Sequence, residues 1–558
     1  MLNESSISGV TDCFRPHWDR TNPRIWPSHC SLPPSRTSLA NVHRRLTSAG
    51  ANPMSQNVLH TRAPELRPSV NPNIDLDSGS IICQEEKEGW TETPADLLST
   101  LPGEVISDIF CHACKRIPGN RKWQRHCYPL LLGRISRQYR QYAWATSELW
   151  TTIVIRINPR KLAAQTELLE EWLARTMGRP IDIYFEIETP LSIRWVSKFN
   201  QLSIIPMINL LAKHSPHWRC IDFHVPSTWY PIFTDREVLR RVPIKKPLDL
   251  PLLISASFDQ GTKVQQRVDL DLTLAPSLHT LSLRRFQMSP IIFERINVKQ
   301  IATLVLDHVY DIDIYDLLPR LPNLQEAFFH DTTSPRTRST LTTTHQKLCK
   351  LEVDASQDHH LQHILVDVIL PRLESLSVSV SSTMNYSRLF RSYLAHDTES
   401  RLTSLSLSCV ITREFDLIDV LSALDTLREL YIRDSSTEAT PDFGLSRTFF
   451  DVLHPEDDFP YLPSLEVFSY EGNLVVQAID FLEPLLIRSR VREGSSGTDL
   501  KLEKVAVVRK VKIRADQVSD SAEFSIAEYP DPQYVWEVMI MIEQGTLELI
   551  TMDGELWE

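Results

Sequence analysis

Apolar residues first recur in a sustained way at Val105, Ile106, Ile109 and Phe110, whose three- and four-residue spacing predicts a short amphipathic helix. Leu101-Pro102 stands at its start, where a proline lacks only an N–H that the first helical turn leaves unbonded anyway. Beyond a polar loop at Pro118-Gly119-Asn120, a second apolar set runs through Leu130, Leu131, Leu132, Ile135, Tyr139, Tyr142 and Ala143 and ends at Leu149-Trp150. Residues 91–150 are therefore expected to form three short helices. They carry more apolar surface than about 55 residues can bury by themselves. The excess should face a partner or the next domain; the competing reading, that Leu101, Val105, Ile109 and Phe110 are the core of a helical cap on that domain, is the weaker one, because surplus apolar area and motif order agree on a partner.

From Trp150 onward the stripe gives way to alternation. Ile153, Ile155 and Ile157 fall on one side of a strand, helix-forming residues fill Lys161 to Met177, and Ile181, Ile183, Phe185 and Ile187 alternate again after Gly178-Arg179-Pro180. A frame of three apolar positions then repeats. It occurs at Trp218/Ile221/Phe223, Leu278/Leu281/Leu283, Ile301/Leu304/Leu306, Leu324/Ala327/Phe329, Leu348/Leu351/Val353, Leu373/Leu376/Val378, Leu402/Leu405/Leu407, Leu427/Leu430/Ile432, Leu465/Phe468/Tyr470 and Leu502/Val505/Val507. From Leu278 to Leu427 the first positions are 23, 23, 24, 25, 29 and 25 residues apart, the period of leucine-rich repeats. Pro276, Pro322, Pro371 and Pro463 each precede a frame by two residues, as a turn entering a strand allows.

The predicted fold class is thus α/β: a tail over 1–90, a small all-α module over 91–150, and an irregular leucine-rich-repeat-like solenoid over 151–558 with a parallel sheet on its concave face. The asparagine that many such repeats place after the strand is missing, so irregular curvature is expected. Positions between and just after the inward frame residues should point outward. They include Ser282, Arg284, Val305, Asp307, Phe328, His330, Glu352, Asp354, Ser377, Ser379, Ser406, Ser408, Tyr431, Arg433, Ser469 and Glu471. Of these, Phe328, His330, Glu352, Asp354, Ser377, Ser406, Tyr431 and Arg433 are the candidate substrate-binding residues. Small serines flanked by aromatic and charged side chains suit a groove for a protein segment, and they suit an ordinary solvated sheet face equally well.

Composition narrows the classes. Lys and Arg number 59 against 71 Asp and Glu, a formal charge of -12, so no overall basic field draws nucleic acid or an anionic membrane. Residues 1–90 are rich in proline, serine and arginine without an apolar period and read as disordered. No apolar run is long enough to span a bilayer, and nine cysteines scattered from Cys13 to Cys409 do not make a disulfide framework. A cytoplasmic or nuclear setting is expected. Glycine supplies only 15 of 558 residues, and no P-loop, G-x-G-x-x-G or G-x-S-x-G is present. Gly494-Ser495-Ser496-Gly497 reads as a loop. Cys111-His112-Ala113-Cys114, with His126-Cys127 nearby, has zinc-like spacing, but no second CxxC follows. His359 and His363 stand i, i+4, yet His360 occupies a position where a zinc protease needs glutamate, so a solvated helix face is the better account. No metal, cofactor or catalytic residue is assigned.

Leu101-Pro102-x-Glu104-Val105, Ile109-Phe110, Pro129-Leu130-x-Leu132-Gly133-x-Ile135-Ser136, Tyr139-Arg140, Ala143-x-Ala145-Thr146 and Leu149-Trp150 together resemble the F-box motif in the form common among mushroom-forming fungi. Ser136 and Tyr139 depart from it, standing where the family often has Cys and Trp. Glu171-Trp172-Leu173-Ala174-Arg175 and Ser215-Pro216-x-Trp218-Arg219 are similar to units downstream of that motif, so the resemblance covers residues 95–225 by motif and the rest by repeat rhythm. It implies a non-enzymatic substrate receptor of a Skp, cullin and F-box ubiquitin ligase. Leu101, Pro102, Glu104, Val105, Ile106, Ile109, Phe110, Pro129, Leu130, Leu132, Ile135 and Tyr139 would dock the Skp-family adaptor, and through it a cullin-RING ligase, while the solenoid holds a protein substrate. The alternative is a leucine-rich interaction scaffold with no ligase role.

Overall fold

The computed structural model describes residues 101–114, 128–187, 204–226, 229–230, 248–260, 270–287, 290–332, 343–355, 364–365, 367–380, 390, 393, 401–409, 414–434, 444–454, 461–476, 478–490, 509–517 and 532–550. The 1–90 tail, His126-Cys127, His359, His360, His363, the 494–497 loop and the frame at Leu502/Val505/Val507 lie outside them. By packing, the chain parts between Ile106 and Ser107 into two units, of which the first contributes residues 101–106 and the second everything else described.

Helix α1 spans Gly103–Ala113, α2 Tyr128–Ile135 and α3 Arg137–Ala145. Pro102 opens α1 from outside, its carbonyl accepting the Ile106 N–H at 3.2 Å, and Glu104 places a negative charge in the first turn, where the helix dipole favours it. Ser136, between α2 and α3, is the N-cap of α3, and its hydroxyl accepts from the Tyr139 N–H at 3.0 Å. A serine at this departure from the F-box pattern thus has a local structural task. Arg140 Nε donates to the Gly133 carbonyl at 2.8 Å and fastens α3 to α2. Phe110 meets Tyr139 edge-on with ring centres 5.4 Å apart, and Ser107 and Thr146 hydroxyls stand 2.9 Å apart, which fixes the C-terminal half of α1 on α3.

Trp150 joins these helices to the sheet. Its indole N–H donates to the Ala143 carbonyl, its own carbonyl accepts from Trp172 Nε1, both at 2.8 Å, and the two indoles pack edge-on at 4.8 Å. Trp172 lies on α4 (Leu162–Arg175). From the same helix the Arg175 guanidinium sits 4.9 Å from the Trp144 ring and 4.8 Å from the Trp150 ring, a cation between two π faces.

The strands are β1 (Thr152–Ile157), β2 (Ile181–Ile187), β3 (Trp218–His224), β4 (Ser255–Asp259), β5 (Thr280–Arg284), β6 (Thr303–Asp307), β7 (Glu326–His330), β8 (Thr343–Thr344), β9 (Lys350–Ala355), β10 (Val368–Ile369), β11 (Ser375–Val380), β12 (Ser404–Cys409), β13 (Glu429–Asp434), β14 (Leu445–Ser446), β15 (Val467–Val475), β16 (Lys510–Gln517) and β17 (Leu547–Ile550). Fourteen of them form one open path in chain order, β1-β2-β3-β4-β5-β6-β7-β9-β11-β12-β13-β15-β16-β17, and every pairing along it is parallel. β14 pairs beside β15, and β8 with β10 forms a separate two-stranded sheet.

Register explains the frame. The second frame positions Leu281, Leu304, Ala327, Leu351, Leu376, Leu405, Leu430 and Phe468 lie side by side, the third positions form the next row, and both rows are buried. Each strand therefore hides its apolar residues only against the strands before and after it. Backbone bonds repeat with the same beat: the carbonyl before one strand accepts two successive N–H groups of the next repeat, as in Ala302 and Thr303 onto His279, Gln325 and Glu326 onto Ala302, and so on to Arg509 and Lys510 onto Glu466. The prolines sit where expected. Ala275–Leu278, Leu321–Leu324, Leu370–Leu373 and Leu462–Leu465 each close an i to i+3 backbone bond with Pro276, Pro322, Pro371 or Pro463 in the second turn position, which a fixed φ suits.

Where the asparagine is missing, the residue after the strand does its work with the backbone. Arg285, His308 and Asp331 adopt positive φ (58°, 51° and 44°) and donate their N–H groups to the ends of the next strands, at Asp307, His330 and Asp354. Three elements depart from the frames. β4 occupies 255–259 with Ala256 and Phe258 inward, β16 places Val511 and Ile513 opposite Phe468 and Tyr470, and β17 adds Leu547 and Leu549 beyond them.

Candidate interaction surfaces

Helical geometry divides the expected adaptor-binding residues into three groups. Ile106 and Phe110, four apart on α1, are buried, as are Pro129 and Tyr139. Leu101, Leu130 and Leu132 are half-buried. Pro102, Glu104, Val105, Ile109 and Ile135 are exposed. Val105 and Ile109 form an i, i+4 stripe on α1 with 41% and 38% exposure, and Leu131 and Ile135 form another on α2 with 41% and 65%. Large apolar side chains so open at consecutive turns are what an unfilled protein contact looks like. Leu131 was not among the expected contacts, although its four-residue spacing from Ile135 marks it.

At the end of α1, burial pushes the Cys111 and Cys114 thiols up, Cys114 to about 11, with the Glu148 and Asp108 carboxylates adding to the effect at Cys111. Both remain thiols at neutral pH, so neither is poised as a thiolate nucleophile. Among the described residues no group of three or more His, Cys, Asp or Glu is arranged to hold a metal ion.

On the outward sheet face the expected substrate-binding residues fall into two neighbouring rows. Phe328, Glu352, Ser377, Ser406 and Tyr431 are laterally adjacent in the first; His330, Asp354 and Arg433 lie in the second, with Ser379 and Ser408 between Asp354 and Arg433. Tyr431 and Arg433 are exposed, and His330, Glu352, Asp354, Ser377 and Ser406 are half-buried. Phe328 differs from the expectation that outward means accessible: it is 5% exposed, because Val305 and Glu352 flank it one strand-spacing away and the Lys350 ammonium lies 5.1 Å from its ring centre. Burial and the Glu429 carboxylate push the Tyr431 phenol up, so it stays a neutral hydrogen-bonding group.

The second row continues in both directions as a ladder of opposite charges. Arg156 pairs with Glu186, His224 Nδ1 with Asp259 Oδ2 at 3.1 Å, Arg284 with Asp307 at 3.9 Å, and Glu471 with Arg433 at 3.5 Å and Arg514 at 3.9 Å. It is interrupted at Ser379 and Ser408. The densest knot is at β3 and β4, which the frames did not reveal: His224 lies between Asp222 (3.0 Å) and Asp259, and Arg285 Nε donates to Asp259 Oδ1 at 2.7 Å. Burial alone would lower the His224 imidazole, but hydrogen bonds and charge from both carboxylates outweigh it and raise it to about 9.

No family model matches the chain, and no curated protein matches it. Among solved structures it is similar to a chain of the Toll–Spatzle complex, described as a molecular hub in Drosophila development and innate immunity. The likeness has 12% identity and a TM-score of 0.29 over 65% of this chain and 47% of that one, so the match spans about half of the Toll–Spatzle chain. At that TM-score it carries no weight for function. What the structure defines is the class: a mixed α/β chain with a long open parallel sheet in sequence order. No helix among the described residues is long and apolar enough to cross a membrane.

Proposed function

We propose that this chain is a non-catalytic adaptor: the α1–α3 module is an F-box that docks a Skp-family protein, the sheet units are irregular leucine-rich repeats, and their outward face holds a protein substrate for a cullin-RING ubiquitin ligase. The observation that carries the reading is the pair of open apolar stripes, Val105/Ile109 and Leu131/Ile135, on helices whose other faces are already packed. The order of the Leu101-Pro102 start and the Leu149-Trp150 end supports it, as does the sheet's arrangement of one strand per repeat. On this reading the protein works in the cytoplasm or nucleus and contributes to rate by positioning, since holding two reactants together raises their effective concentration without chemistry of its own.

The test is capture from cell extract. The full chain recovers the Skp-family adaptor and a cullin, and Leu101→Ala with Pro102→Ala loses both. Folded protein that recovers neither points to an interaction scaffold outside any ligase.

A further inference from the structure

We propose that the outward sheet face takes an extended protein segment of dipolar charge, laid across the strands with a lysine or arginine over β7–β9 and an acidic residue over β13–β16. This rests on the adaptor reading and names the chemistry of the substrate that the sheet would hold. The outward face is electrically divided. On β6–β9 it carries Asp307, Glu326, Glu352 and Asp354 against Lys350, whose ammonium is drawn over the Phe328 ring. On β13–β16 it carries Arg433, Lys510, Lys512 and Arg514 against Glu429 and Glu471. Part of this charge is answered within the fold, Glu352 by His330 at 3.8 Å and Lys512 by Glu548 at 3.0 Å, while Asp354 and Lys510 have no ion pair among the described residues.

Between the two lies an uncharged interval. β11 and β12 present Ser375, Ser377, Ser379, Ser404, Ser406 and Ser408 in lateral register, and the hydroxyls of Ser377, Ser379, Ser406 and Ser408 have no hydrogen-bond partner among the described residues. These strands are paired on both sides, so a partner cannot join as another strand; it must lie over the face and use those hydroxyls. From β9 to β13 is three strand spacings, about 14 Å, which an extended chain covers in about four residues. The geometry therefore asks for opposite charges four residues apart, separated by small or polar residues.

The experiment uses the full chain and labelled Gly/Ser peptides of about twelve residues, carrying Lys and Glu, Lys and Lys, or Glu and Glu at positions i and i+4, read by fluorescence anisotropy at low ionic strength. The Lys/Glu peptide should bind about tenfold more tightly than either of the others, a difference of about 1.4 kcal/mol. About 1 M salt, which shortens the Debye length to about 3 Å, should abolish the preference. Glu352→Lys with Asp354→Lys should transfer the preference to Glu/Glu. Should that variant not fold, Arg433→Glu with Lys512→Glu should transfer it to Lys/Lys. Equal binding of the three peptides, no saturable binding, or an unchanged preference in a folded variant overturns the proposal. Adaptor capture by the unaltered chain is measured in parallel: capture without peptide preference removes this proposal and leaves the adaptor reading, and preference without capture does the reverse.

Discussion

His224 Nδ1 stands 3.1 Å from Asp259 Oδ2, so a cation at the end of β3 bonds directly to an anion at the end of β4. With Asp222 3.0 Å away on the other ring nitrogen, protonated His224 is the clasp between two strands. Its folded value of about 9 lies above the ordinary 6.5, so its contribution to stability is complete below about pH 6.5 and is lost as pH rises toward 9. Thermal melts should show the unfolding temperature falling across that interval, and the slope should flatten in His224→Gln. Equal slopes for both proteins would remove the clasp.

Arg488 is fully buried and has no carboxylate partner among the described residues; it donates to the carbonyls of Leu453 (2.6 Å), Leu462 (3.0 Å) and Tyr461. Burial lowers its guanidinium to about 10, which leaves it charged at neutral pH. Arg488→Met fills similar volume but strands those carbonyls, at a cost of about 3 kcal/mol. Arg488→Lys should rescue little, since one ammonium cannot reproduce the planar fork. Urea unfolding measures both.

Gly472 and Gly545 both have positive φ, 155° and 68°, yet only one is crowded. A Cβ on Gly472 would lie 2.5 Å from Asp434 Cβ and 2.8 Å from the Tyr470 hydroxyl, whereas one on Gly545 meets nothing within 4 Å. Gly545→Ala should therefore cost about 1 kcal/mol of backbone strain, and Gly472→Ala clearly more, because backbone must shift as well. Paired denaturation curves that show equal losses would contradict this placement.

The sequence carries the repeating strands because burial acts on them one at a time: Leu304 and Leu306 face the core whatever lies farther along the chain. β4 carries the same frame in Leu253, Ala256 and Phe258, buried like Leu324, Ala327 and Phe329, so it too was legible although the frames above pass over it. Accessibility was harder to read than direction. Phe328 points outward as alternation demands, yet its lateral neighbours and Lys350 cover it, and those neighbours come from strands 23 or 24 residues away. On α1 the apolar residues read as one stripe, but a 3.6-residue turn separates Ile106 and Phe110, which are buried, from Val105 and Ile109, which are exposed.

That separation permits a decisive measurement on the folded chain: titration calorimetry of purified Skp-family adaptor against the unaltered protein, Val105→Asp with Ile109→Asp, and Leu131→Asp with Ile135→Asp. Since these side chains are exposed, each double variant should unfold within about 1 kcal/mol of the parent, while Phe110→Ala, which opens the core, should lose about 3 kcal/mol or more. The parent should bind the adaptor saturably, and both stripe variants should lose at least a hundredfold in affinity, about 2.7 kcal/mol. Undiminished binding by the folded stripe variants, or none by the folded parent, contradicts it.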